Sequence, residues 1–159
     1  MAHNPDLEFE TLASSFGINA DSLAGPAGLY KAAVIDGASV FLSGQIPKVG
    51  NEVVVSGKVG SEVSLEDAKR GAAIAAIRLL AVLKDAVGSL ANISAVTRVN
   101  VFVQCAEGFA QQTQVADAAS GVLQAVLGEA AGHARTAVGV AALPRNASVE
   151  VDLMASLKH

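Results

Sequence analysis

The sequence predicts an α+β fold in which one β-sheet carries two long helices on a single face. Three observations predict it. Two stretches, 64–87 and 112–127, repeat small and apolar residues at helical spacing. Two others, 95–104 and 148–157, alternate apolar and polar residues, the period of a half-buried strand. A further pair of apolar runs, 29–35 and 39–42, is separated by Asp36-Gly37, a dipeptide that favours a tight hairpin turn.

Asn4-Pro5 opens the chain as a helix cap followed by a proline at the first helical position. Leu7, Leu12 and Phe16 give this short helix an apolar side, and Gly17 ends it. Gly25-Pro26-Ala27-Gly28 reads as a loop, from which Tyr30 opens the first strand. After the hairpin, Ser43-Gly44-Gln45-Ile46-Pro47 closes the second strand, since a proline cannot donate to a ladder. Residues 51–55 supply a short third strand or an edge. Ser64, with acidic Asp67 three residues on, caps the long second helix, and Gly88 terminates it. Leu65, Ala68, Ala72, Ala76, Leu79, Leu83 and Val87 form one face of that helix. In the strand 95–104, Val99, Val101 and Val103 share one face while Arg98, Asn100 and Phe102 share the other. The third helix ends at Gly128. Strands at 136–141 and 148–157 follow, joined through Leu143-Pro144-Arg145-Asn146.

With 159 residues, the chain is read as one domain, 1–159, with a short N-terminal helical extension over about 1–24. Hydrophobic residues make up 52% and charged residues 16%. The charged share is low for a soluble protein, which averages about 25%. A sheet with helices on one face leaves its other face open, and in the last strand Glu150 and Asp152 lie there. Other copies of the chain covering that face would make an oligomer with sites between subunits.

Eleven basic against fifteen acidic residues, 4% aromatics and no Trp argue against nucleic acid as a partner. The acidic start has no apolar core of a signal peptide, and no apolar run reaches the roughly 18 residues of a membrane span, so a cytoplasmic location is expected. The single cysteine, Cys105, excludes an internal disulfide and reads as a buried structural residue. His3, His133 and His159 have no partners at metal-ligand spacing, so neither a metal nor another cofactor is expected. The residues left to carry chemistry are Arg135, whose planar fork suits a carboxylate, and Glu150, which could orient a water or move protons. Tyr30, Ser43 and Gly44 could line a cleft.

Taken in order, Tyr30, Ser43-Gly44-Gln45-Ile46-Pro47, His133-Ala134-Arg135-Thr136-Ala137-Val138-Gly139-Val140, Leu143-Pro144 and Val149-Glu150-Val151 resemble the Rid family, also called YjgF-type or L-PSP-type. The resemblance runs from about Tyr30 to Met154. Gly57-Lys58-Val59-Gly60, the stretch 115–120 and the N-terminal helix are similar to a longer sub-branch. The resemblance implies a chorismate-mutase-like fold and a homotrimer with clefts between subunits. It also implies hydrolysis of reactive imines or enamines to keto acids and ammonia. In that reading Arg135 binds the substrate carboxylate, Glu150 positions the attacking water, and Tyr30, Ser43 and Gly44 line the cleft. Three positions depart from the family pattern. His133 replaces a proline, Ala137 replaces a cysteine at a main-chain contact, and Asp117 stands nearest to a cleft-facing asparagine. The alternative is a non-catalytic protein that binds a small carboxylate metabolite in the same cleft. The endoribonuclease label borne by some relatives fits poorly with the acidic charge, the scarce aromatics and the missing pair of catalytic histidines.

Overall fold

Asn4 accepts hydrogen bonds from the backbone N–H groups of Asp6 (3.1 Å) and Leu7 (3.2 Å), and so starts the first helix of a computed structural model that describes residues 2–20 and 28–159. Helix α1 spans Pro5–Ser15. It buries Phe9 and Ala13, with Leu12 and Phe16 packed at the margin, whereas Leu7, expected on the apolar side, is exposed. The reason lies at the C-terminal end of the second helix. There Asp6 accepts from Ser89 Oγ (2.5 Å) and Leu90 N (3.0 Å), and Lys84 pairs with Glu10 (2.9 Å). These bonds set the rotation of α1 so that Phe9 faces inward and Leu7 outward.

Five strands make one sheet: β1 (Ala33–Asp36), β2 (Ser39–Gln45), β5 (Ile93–Gln104), β6 (Ala134–Val140) and β7 (Val149–Leu157), in the order β1-β2-β7-β5-β6. Two more, β3 (Lys48–Val49) and β4 (Glu52–Val53), form a separate two-stranded ribbon. The segment 51–55 is therefore not a third strand of the main sheet. Pro47 interrupts the ladder, and Gly50, at φ 59°, turns the chain back on itself.

Helix α2 (Leu65–Val87) links β2 to β5, and helix α3 (Gln112–Leu127) links β5 to β6. β5 and β6 are parallel, while β7 runs antiparallel to both β2 and β5. Both crossovers progress in the same direction across the sheet, and such connections are right-handed. Both helices accordingly fall on one face, as the sequence predicts, and β7 fills the slot between β2 and β5.

Ser64 caps α2 through the N–H of Asp67, and Gly88, at φ 83°, closes it. The expected face of α2 is buried from Ala68 to Leu83, but so are Ile74, Ala75, Ile77 and Leu80. The helix is enclosed because α3 and α1 cover the side that the sheet does not. Its one buried charge, Arg78, donates from Nε to Gln45 Oε1 and from Nη1 to the Lys48 carbonyl, both at 3.2 Å. Burial lowers the Arg78 pKa. These two bonds tie the end of β2 and the start of β3 to the middle of α2.

Val99, Val101 and Val103 of β5, with Val149, Val151, Leu153 and Ala155 of β7, face the helices and are fully or almost fully buried. The opposite sheet face is open. It carries Glu150, Asp152, Asn100, Phe102 and Val138, and the exposed Phe41 and Val34.

The first strand is shorter than the apolar run 29–35. Tyr30 lies in a bend before β1 and is 60% exposed. β1 is an edge strand paired only with β2, and the pairing stops at Ala33–Leu42 because β2 bulges beyond that point. Of the loop expected at 25–28, residues 25–27 lie outside the described residues, and Gly28 begins the bend.

Candidate functional site

The bulge in β2 builds the first cluster. Leu42 pairs with Leu153 and Gln45 with Val151, so Ser43 and Gly44 together oppose the single residue Asp152. The extra residue reverses the alternation, which sends Gln45 to Arg78 on the helix side. Ser43 donates to the Lys31 carbonyl from Oγ (2.7 Å) and to the Ala32 carbonyl from its N–H (2.9 Å), holding the segment that follows Tyr30. Glu150 reaches over Gly44. A Cβ at position 44 would lie 2.2 Å from Glu150 Oε1, so the carboxylate occupies space that only glycine leaves free.

Burial, and next the like charge of Asp152, raise the Glu150 pKa. Asp152 is itself fixed by Asn100 Nδ2 at 2.8 Å. Arg98 continues this polar row, donating from Nε to Asn100 Oδ1 and from Nη2 to Thr136 Oγ1. The row crosses the open face from β6 through β5 to β7.

The second cluster forms on the other side of the sheet. Arg135 is in register with Val99 and Ala137 with Val101, so both side chains point toward the helix layer. Asp117 and Ser120, three residues apart on α3, meet the arginine there. Arg135 Nη2 pairs with Asp117 Oδ1 at 2.9 Å, and Nη1 donates to Ser120 Oγ, also at 2.9 Å. Ser120 Oγ is in turn 2.9 Å from His133 Nε2, while His133 Nδ1 lies 2.5 Å from the Ala131 carbonyl. A carbonyl can only accept, so Nδ1 carries a proton and donates it to Ala131, while Nε2 shares a hydrogen bond with the serine hydroxyl.

The structure thus brings Ser43, Gly44 and Glu150 together, and separately Arg135, Asp117 and Ala137. Glu150 is in register with Phe102, an odd number of residues from Val99, and so projects from the face opposite Arg135. One chain does not bring the two clusters onto one substrate. An open groove of 750 Å³ between 60–65 and 106–111 contains neither of them.

Ser120, the link between His133 and Arg135, is missing from the sequence-based site. Its signal was available in the spacing of Asp117 and Ser120 on a helix and of His133 and Arg135 on a strand. Cys105 is half-buried, accepts from Gln112 Nε2 at 3.8 Å, and lies 2.7 Å from where a Cβ on Gly139 would stand. Among the described residues no group of three His, Cys, Asp or Glu side chains could hold a metal, and no helix is long and apolar enough to cross a membrane.

A mixed five-stranded sheet backed on one face by two long crossover helices defines a chorismate-mutase-like α+β fold. The chain belongs to the family described as "YjgF/chorismate_mutase-like, putative endoribonuclease", whose model matches residues 10–157. It is 35% identical over 144 residues to Protein TCP17 of Trypanosoma cruzi, covering 90% of each chain. The crystal structure of Atu1372 from Agrobacterium tumefaciens superposes with a TM-score of 0.87 at 34% identity, over 97% of this chain and 95% of that one. RidA from the Antarctic bacterium Psychrobacter sp. PAMC 21119 gives 0.60 at 27% identity, over 88% and 98%.

Proposed function

We propose that the protein hydrolyses reactive 2-imino or enamine acids to keto acids and ammonia, in clefts between the subunits of a cytoplasmic homotrimer. The observation that carries this reading is the placement of Arg135 and Glu150 on opposite faces of one sheet. Two charged groups suited to one small substrate can cooperate only if a second copy brings its own cluster to meet the first. Family membership supports the same arrangement.

The chemistry suits these groups. A protonated imine carbon is already electrophilic, so water can add to it without a covalent nucleophile. Arg135 holds the substrate carboxylate. Glu150, with its pKa raised by burial and by Asp152, takes a proton from the attacking water. Glu150 returns that proton to the nitrogen of the resulting carbinolamine, the C–N bond breaks to release ammonia, and the hydroxyl loses its proton to become the keto oxygen. Tyr30, Ser43, Gly44, Ala137 and Asp117 line the cleft. On this reading the first 24 or so residues are an extension on a single domain, and together with 57–60 and 115–120 they support membership of a longer sub-branch of the family.

The deciding experiment is ammonia release from freshly generated 2-imino acids. Loss of activity in both Arg135→Ala and Glu150→Gln supports the reading. A parent protein no faster than buffer overturns it. One observation favours a second reading, that of a non-catalytic binder of small carboxylate metabolites: within one chain Glu150 lies on the sheet face opposite Arg135. Ligand binding without ammonia release would establish that reading instead.

A further inference from the structure

We propose that Asp117 and Arg135 act as a two-charge clamp for a ligand that carries a carboxylate and, on the adjoining carbon, a protonated nitrogen. The site would then prefer an imino or amino acid to the corresponding keto acid. This deepens the functional reading above and rests on it for the identity of the site.

The argument starts from the donors of Arg135. A guanidinium has five N–H groups in a rigid plane. One on Nη2 meets Asp117 Oδ1 and one on Nη1 meets Ser120 Oγ, which leaves three. Ser120 is an acceptor toward Arg135, because a guanidinium can only donate, and its hydroxyl is held in place by His133, whose ring is anchored on the Ala131 carbonyl. The orientation of the fork is therefore set before any ligand arrives, and the remaining N–H groups can still take a carboxylate.

Asp117 changes what that carboxylate must bring with it. Its side chain is 63% exposed, and Oδ2 makes no hydrogen bond among the described residues. A keto acid entering here meets a cation and, 2.9 Å from it, the carboxylate of Asp117. A like charge so placed opposes binding. A ligand with a protonated nitrogen next to its carboxylate meets an opposite charge at both points. The two ligand groups sit on neighbouring carbons, and the two protein groups are in direct contact. Hydrolysis removes the nitrogen as ammonia, so the product loses its attraction to Asp117 and leaves more readily than the substrate.

L-Alanine and pyruvate share a carbon skeleton and differ at this one group, so they serve as probes for calorimetry on the parent and on Asp117→Asn. The parent should bind L-alanine at least about tenfold more tightly than pyruvate, a difference of about 1.4 kcal/mol. Asp117→Asn keeps the shape and removes the charge. It should weaken L-alanine and strengthen pyruvate, so that the preference disappears or inverts. The inference is overturned if the parent binds pyruvate as tightly as L-alanine, if the substitution moves both probes in the same direction, or if neither probe binds. The ammonia-release assay separates this test from that of the function. Ammonia release with no preference for L-alanine removes the clamp and keeps the deaminase. An Asp117-dependent preference without ammonia release keeps the clamp and removes the deaminase.

Discussion

Gly44 and Glu150 interlock: the carboxylate of Glu150 occupies the volume that a β-carbon at position 44 would need, with 2.2 Å between Oε1 and that point. The bulge in β2 and the open-face direction of β7 create this contact together. Gly44→Ala should therefore act on Glu150 more than on the fold. A flexible carboxylate can swing aside, so the loss of stability should stay below about 1 kcal/mol. Displacing a catalytic group by about 1 Å can cost on the order of 10²-fold in rate. Thermal melting and ammonia release on the same preparation check both halves, and a fully active Gly44→Ala would remove Glu150 from the chemistry.

Glu150 also sets a dependence of stability on pH. Its folded-state pKa is raised, first by burial and then by Asp152. The folded state then holds the proton more tightly than the unfolded state does, so stability falls as pH rises from the ordinary glutamate value, about 4.3, through the raised one. Glu150→Gln carries no such penalty. It should melt above the parent at neutral pH and converge with it below about pH 4, while ammonia release drops and keto-acid binding holds. Identical melting temperatures for parent and variant across this range would contradict the assignment.

Arg135 touches Asp117 and Ser120 through separate nitrogens. Lysine keeps the charge but cannot span both partners in a fixed plane. Arg135→Ala should weaken binding of either small-acid probe by at least about tenfold, with Arg135→Lys falling between it and the parent. Calorimetry measures the order, and equal affinities for all three proteins would exclude the carboxylate grip.

The exposed Phe41, Val34 and Val138 share the open sheet face with Glu150. Light scattering should give three times the 16.0 kDa chain mass. Val138 is 40% exposed in the single chain, so Val138→Arg should leave a folded subunit while breaking the assembly. An unchanged mass for this variant would move the interface elsewhere, and a monomeric parent would remove the shared cleft.

Cys105 contacts Gln112 and the backbone at Gly139. Cys105→Ser should lower the melting temperature by a few degrees and leave ammonia release intact. Lost turnover in a folded variant would give the thiol a role beyond packing.

Most of the architecture was legible in the sequence because it rests on local signals. The cap at Ser64, the stop at Gly88 and the helical period between them define α2 to the residue. The valine alternation in β5 separates its two faces, and the structure buries the valine one. The early end of β1 was not legible. Tyr30 and its neighbours have strand character, but pairing depends on β2, which bulges away at Ser43–Gly44.

The sequence by itself determined most of the elements and the single helix-covered face, and it singled out Arg135, Ser43, Gly44 and Glu150 as candidates, with Asp117 reached through the family resemblance. Only the tertiary structure decided how they group. Whether Arg135 and Glu150 share a face depends on two strand registers, β6 on β5 and β5 on β7. A slip of one residue in either would reverse the answer. The Ser120–His133 bond likewise joins residues from a helix and a strand whose separation is set by how α3 packs on the sheet. Local propensity fixes the period of each element, whereas these relationships depend on the relative phase of several elements, and that phase is set by packing.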